Sequence, residues 1–219
     1  MSRFDPNRVF KFVDDLERRF EKLPEKLDDI WNKAVQLGWY PSPYMPAKLS
    51  QKSLSSQQAI DTRMLKAFEQ NYDGIKQYVV VESKRREHIL SVAIELHEQQ
   101  NYIACIPLFL AQADGIFEEY LGLSAFTRHD GKLKRIASDL NSTFSNDSVA
   151  KAYFGQFKAS SQFSGNSDNS DKAKGPNRNG ILHGDSRHLD YGSYINSCKS
   201  ICFLSSVMWL AEKYREKQT

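Results

Sequence analysis

YIACIPLFLAQADGIFEEYL, from Tyr102 to Leu121, places its apolar side chains at one recurring interval. Ile106, Phe109, Leu110, Ala113, Ile116, Phe117, Tyr120 and Leu121 share a single stripe at about 100° per residue, the pattern of a helix laid against a core. Asp114 and Glu118 are four apart and lie along one edge of that stripe. A helix this long needs partners for its apolar side, and the rest of the chain offers them in the same periodicity.

Toward the C-terminus, the stretch from about Ser193 to Glu216 is apolar on nearly every side, which predicts a central buried helix. Between Leu54 and Glu98 two or three helices are expected, interrupted near Tyr78–Val81. The run YVVVES has strand-like residues but no second strand to pair with, so no sheet is expected. Pro24 opens a helix carrying Leu27, Ile30, Trp31, Ala34 and Leu37, and Gly38 closes it. Asp5-Pro6 opens an earlier one, with Val9, Phe10, Val13, Leu16 and Phe20 at helical spacing. WYPSPYMP holds three prolines and reads as a packed, extended linker. The chain is therefore expected to be all-α, a helical bundle with an N-terminal helical extension. Residues 1–82 form that N-terminal helical region and 83–219 the main helical domain. A flexible loop over 141–176, rich in Ser, Asn and Gly, interrupts the second.

Composition narrows the function classes. The chain has 219 residues, 40% of them hydrophobic, enough for a proper core. A net charge of +3 is too small for a basic arm that coats nucleic acid, although it permits specific RNA contact. Cys105, Cys198 and Cys202 are an odd number of cysteines in a mid-sized chain, which points to reduced thiols in the cytosol. The N-terminus lacks a signal peptide's apolar run. ICFLSSVMWLA, the longest apolar stretch, is far too short to cross a bilayer. A soluble cytoplasmic protein without membrane contact is expected. Cys198 and Cys202 continue into Ser205 and Trp209 on one helix face, which reads as small-residue packing rather than a metal pair. His129-Asp130 is a lone dyad without a second ligand cluster, and neither a phosphate-binding Gly-rich loop nor a GxSxG elbow occurs. No metal or cofactor is expected.

Chemistry-bearing residues gather in GPNRNGILHGDSRHLDYG, Gly175 to Gly192. Arg178 and His183 stand five positions apart there. Pro176 suits a first helical turn, and Asn179 and His183 are four apart, so they stack on one face. Ile181 and Leu182 anchor this short helix to the core, and Gly184 stops it, leaving His183 near its end beside solvent. A histidine so placed suits proton transfer, and an arginine one turn earlier suits a bidentate grip on a phosphate. Such spacing is a weak signal by itself. A plainer arrangement is a capped helix whose Arg178 pairs with Asp185 and whose His183 is merely exposed.

GPNRNGILHG resembles the signature of the HEPN superfamily, in which an arginine and a following polar residue precede a histidine. Here these are Arg178, Asn179 and His183. Gly184, the later DYGSYINSCKS and the upstream IPLFLAQADGIFEEYLG are similar to the matching parts of bacterial members. The likeness runs from about Arg86 to the C-terminus, and the residues before it resemble nothing in that superfamily. It implies a HEPN-like helical bundle forming a homodimer with two signatures across a shared cleft. It further implies a metal-independent endoribonuclease that cuts RNA through the substrate's own 2′-hydroxyl. The role would be that of a toxin or antiphage effector, with an antitoxin or regulatory partner.

In that chemistry His183 is general base or acid, Arg178 neutralises the phosphorane charge, and Asn179 bonds the phosphate or holds His183 in one tautomer. Asp114 or Glu118 would supply a supporting carboxylate on the substrate side, unless both are solvated edge residues. His188 would assist at the cleft, unless it is simply an exposed loop histidine. The net basic stretch from Thr127 to Arg178 suits an RNA backbone, as it suits a solvated loop. The alternative reading is a catalytically silent binding module of the same superfamily.

Overall fold

The computed structural model describes residues 23–45, 48–121, 163 and 174–216. Seven α-helices and no strand lie among them: α1 (Leu23–Gln36), α2 (Gln57–Gln70), α3 (Tyr72–Val81), α4 (Glu87–Glu98), α5 (Tyr102–Leu121), α6 (Arg178–Leu182) and α7 (Tyr194–Glu216). A 3-10 turn, Ser186–His188, separates the last two. The fold is all-α, as the periodicity predicts. The helix expected from Asp5 and almost all of the 141–176 loop lie outside the described residues. No helix among the described residues is long and apolar enough to cross a membrane.

α5 and α7 are the central pair, with α4 against α5 and α3 against α7. Ile106, Phe109, Leu110, Ala113, Ile116 and Phe117 of the α5 stripe are all buried. α7 is buried without interruption from Ser197 through Met208. Apolar and small polar residues share that burial, for Ser197, Ser200, Ser205 and Ser206 are as inaccessible as Ile201 and Leu204. Small side chains let neighbours approach the backbone from every direction, and each hydroxyl then needs a partner. Ser205 finds the Ser42 hydroxyl at 2.8 Å, and Ser206 donates to the Pro41 carbonyl. The proline-rich linker is thus fastened along α7. One continuous core of buried side chains runs from Ala34 to Ala211 and crosses position 82 without a break.

The YVVV run is neither a strand nor an interruption. It completes α3, and the break falls at 82–86 instead. Tyr78 and Val79 are buried there while Val81 stays half exposed. Packing against α7 and α4 outweighs the strand preference of β-branched residues, which is a weak and context-dependent bias.

Two helix ends share one chain-reversing device. Past α1, Gly38 (φ +84°) donates to Val35 and Trp39 donates to Ala34, each at 2.9 Å. Past α4, Gln100 (φ +62°) donates to His97 at 3.0 Å and Asn101 to Leu96 at 2.8 Å. Both are paired reverse hydrogen bonds that satisfy a helix's last carbonyls and need a left-handed residue. Glycine adopts that conformation freely; Gln100 holds it at a cost of about 1–2 kcal/mol.

Trp39 lands beside the buried lysine of α7. Lys199 is fully buried, with Nζ 3.2 Å from Asp61 Oδ1 on α2, 2.8 Å from the Lys174 carbonyl and 5.5 Å from the centre of the Trp39 ring. Asp61 Oδ1 also accepts from Trp39 Nε1 at 2.7 Å and Gln57 Nε2 at 2.8 Å. Nothing in the sequence marks this cluster, which joins α1, α2, α7 and the segment entering α6. A buried ammonium left without its carboxylate is expensive. Asp61→Ala is expected to lower unfolding free energy by about 3–5 kcal/mol, and Lys199→Met by clearly less, because the Asp61 carboxylate it leaves behind keeps its hydrogen bonds from Trp39 and Gln57. Urea denaturation of the two variants measures the difference.

Candidate functional site

α6 is one short turn and a half, too brief to hold itself together. Its ends are therefore closed tightly. Asn177 is the N-cap, its Oδ1 accepting the Gly180 N–H at 2.7 Å. Pro176 precedes that cap and so stands outside the first turn where the sequence reading put it. At the other end Gly184 (φ +67°) donates to Ile181 at 3.2 Å and Asp185 donates to Gly180 at 2.8 Å. This is the same reverse pair that ends α1 and α4, with glycine at the left-handed position.

Arg178 is directed at α5. Its Nη2 donates to Asp114 Oδ2 at 2.7 Å, and its Nη1 donates to Asn179 Oδ1 at 3.0 Å. The two ion-pair side chains are mostly buried, at 19% and 16% exposure, so water screens the pair only in part. Asp114 is therefore no solvated edge residue. Glu118, one turn further on, is exposed, and the structure does not bring it into this pair. Arg178 does not take Asp185 either. That carboxylate caps the 3-10 turn and holds Arg187, accepting its backbone N–H at 3.0 Å and its Nε at 2.9 Å.

His183 is the C-cap of α6, its backbone N–H donating to the Asn179 carbonyl at 3.1 Å. The ring is exposed and makes no hydrogen bond among the described residues. Asn179 Oδ1 orients Arg178 rather than the histidine. The short helix thus carries a clamped guanidinium at its start and an open imidazole just past its end.

His188 departs from expectation. It is buried, not on an exposed loop, at 5% exposure, and it packs beneath α6. A Cβ on Gly180 would come within 2.2 Å of His188 Cδ2, so the ring occupies the space a side chain would need. A proline supplies the next anchor. Pro107 lies inside α5 and has no N–H to give Ile103, four residues earlier. The Ile103 carbonyl accepts from the Tyr191 hydroxyl at 2.9 Å instead. A proline within an otherwise helical pattern was the available sequence signal for this docking of 191 onto α5. Among the described residues no group of three His, Cys, Asp or Glu could hold a metal ion.

The Gly180–His188 contact gives a test by double mutation. Gly180→Ala should destabilise by about 1–3 kcal/mol through overpacking. In a His188→Ala background the same change should cost measurably less, because the obstructing ring is gone. Thermal melts of the four proteins read the coupling.

Compared with protein-family models, with curated proteins and with solved structures, the chain finds no match.

Proposed function

We propose that this chain is a metal-independent endoribonuclease of the HEPN type, a toxin or antiphage effector working as a homodimer. The observation that carries the reading is the 2.7 Å pairing of Arg178 with Asp114, across from an exposed His183 at the other end of the same short helix. Asp114 and Asn179 restrict the guanidinium plane, and a planar fork held in one orientation suits the non-bridging oxygens of a phosphodiester. His183 takes the proton of the 2′-hydroxyl as that oxygen attacks phosphorus. The P–O5′ bond then breaks, the 5′-oxygen takes a proton from water, and a 2′,3′-cyclic phosphate remains. Arg178 neutralises the charge that builds on the phosphorane. Ile103 and Leu189, at 61% and 66% exposure, flank the segment that leaves α6 and provide apolar surface for a second copy.

Purified protein incubated with total RNA in EDTA, with mapping of the cut ends, tests the proposal. Cleavage should persist, the products should end in 2′,3′-cyclic phosphate, and one 2′-deoxy substitution should protect its bond. His183→Ala should lower the rate by about 10²–10⁴ and Arg178→Ala by about 10²–10³. Asp114→Asn, which loosens the guanidinium, should cost about tenfold. Sedimentation at tens of micromolar should report a dimer. If Arg178→Ala/His183→Ala cuts as wild type does, the enzyme reading fails and the binding-module alternative stands.

A further inference from the structure

A cavity of about 350 Å³ opens where α2 passes to α3 and α4 to α5, closed by the start of α7. Tyr72, Tyr102 and Tyr194 wall it, and Glu69, Glu98 and Gln100 stand exposed at its rim. Its floor is His97, 6% exposed, with ring centroid 5.6 Å from Tyr72, 5.8 Å from Tyr102 and 5.7 Å from Tyr194. Tyr102 lies twelve residues before Asp114 on α5, roughly 18 Å along the helix at about 1.5 Å per residue, so the cavity is separate from the Arg178 site.

The hydrogen bonds around His97 give the cavity its polarity. Cys105 Sγ donates to the Tyr102 carbonyl at 3.7 Å, and the Ser197 hydroxyl stands 3.2 Å from the same sulfur. Assigning the thiol hydrogen to that carbonyl leaves Ser197 to donate to sulfur and its oxygen to accept from His97 Nδ1, 2.7 Å away. Nε2 is then a lone-pair acceptor, and it has no hydrogen-bond partner among the described residues. Burial lowers the histidine's affinity for a second proton, which keeps the ring neutral. Two of the three tyrosine hydroxyls are held as donors. Tyr72 donates to Glu98 Oε1 at 3.1 Å and Tyr194 to Glu69 Oε1 at 3.4 Å, and burial pushes both phenols up, away from ionisation. Lys76 braces Glu98 at 2.7 Å without itself lining the cavity. Among the described lining residues only Gln100 and the Tyr102 hydroxyl can offer a hydrogen inward. Among the described residues no lysine or arginine lines the space.

We propose that this cavity binds an alkylammonium group bearing N–H donors, seated on the tyrosine rings with its hydrogens shared among His97 Nε2, Glu69 and Glu98. The rings present electron-rich faces to a cation, and two carboxylates with an imidazole lone pair supply acceptors in excess of donors. An anion meets the two carboxylates and a neutral imidazole, with no lysine or arginine among the described lining residues. A quaternary ammonium satisfies the rings but leaves Nε2 and the carboxylates unmet, so it binds more weakly. The site is independent of the RNA-cleavage reading and stands or falls separately. Left-handed Gln100 supports it, since a strained residue sits on the rim where glycine would adopt the turn at less cost.

Isothermal titration of the full chain with 1,4-diaminobutane, N-acetyl-lysine methylamide and tetramethylammonium tests the proposal. Both N–H-bearing probes should bind, and tetramethylammonium at least about tenfold more weakly. Glu69→Gln/Glu98→Gln, both at exposed positions, should weaken the N–H-bearing probes by about 10–100-fold with an unchanged thermal melt. Tyr194→Phe, which keeps the ring but releases Glu69, should weaken them less. Tighter binding of diaminobutane identifies a free amine as the ligand source, and tighter binding of the lysine derivative identifies a protein side chain. Absence of binding by both probes, equal binding of tetramethylammonium, or an unaltered affinity in the double glutamine variant would overturn the proposal.

Discussion

A charged amine in the middle of a buried helix has to be answered from outside that helix, and the answer given to Lys199 organises this molecule. No side chain of α7 supplies its acceptors. Asp61 comes from α2 and the Lys174 carbonyl from the segment entering α6, while the Trp39 face follows the turn that ends α1. The desolvation cost of an ammonium in such a place is several kcal/mol, so these partners cannot drift apart without a large penalty. Three stretches far apart in sequence are thereby held to one point. Gly38 and Gly175 reflect how closely they meet. A Cβ at position 38 would overlap the Lys174 carbonyl oxygen, and one at 175 would lie 3.2 Å from Lys199 Cδ.

From that point the chain runs directly into the candidate site. Gly175, Pro176 and Asn177 are all buried, so the entry to α6 is placed by the core and not by solvent-side loop preferences. α6 is then fixed from three sides. Asp114 holds Arg178, the His188 ring fills the space a side chain at Gly180 would need, and Tyr191 fastens the following segment to the carbonyl that Pro107 leaves open. Few of these contacts stabilise much alone. Together they turn five residues without helical stability of their own into a rigid mount for a guanidinium and an imidazole.

α5 carries opposite electrostatic characters at its two ends. Around Asp114 an acid is spent on orienting a cation, so that what faces outward is arginine and histidine. Around Tyr102 the tyrosine hydroxyls and Lys76 orient acids, and what faces the cavity is carboxylate, ring face and lone pair. The two ends suit opposite ligand charges, and their separation along a single rigid helix keeps one from cancelling the other.

Much of the fold was legible because it rests on local rules. The α5 stripe from Ile106 to Phe117, the glycine stops at Gly38 and Gly184, and the all-round burial of α7 each follow from side-chain periodicity or from the φ a residue can adopt. YVVV reads as a helix interruption because its residues favour strands, and the packing of α3 against α7 outweighs that preference. The residues Arg178, Asn179 and His183 were legible as a group, since their spacing on one short helix is itself local. Their partners were not. Whether Arg178 meets Asp114 or Asp185 depends on where α5 lies relative to α6, and whether His188 is exposed depends on what Gly180 leaves empty. The Lys199 cluster and the tyrosine-walled cavity gather residues separated by dozens of positions, each unremarkable in its own neighbourhood. Sequence determined which segments become helices and which face each one buries, because backbone hydrogen bonding and hydrophobic periodicity act within a few residues. Which charges meet, which histidine is sealed and which stays open was decided only by the tertiary structure, because desolvation and Coulomb energy depend on distances that chain order does not contain.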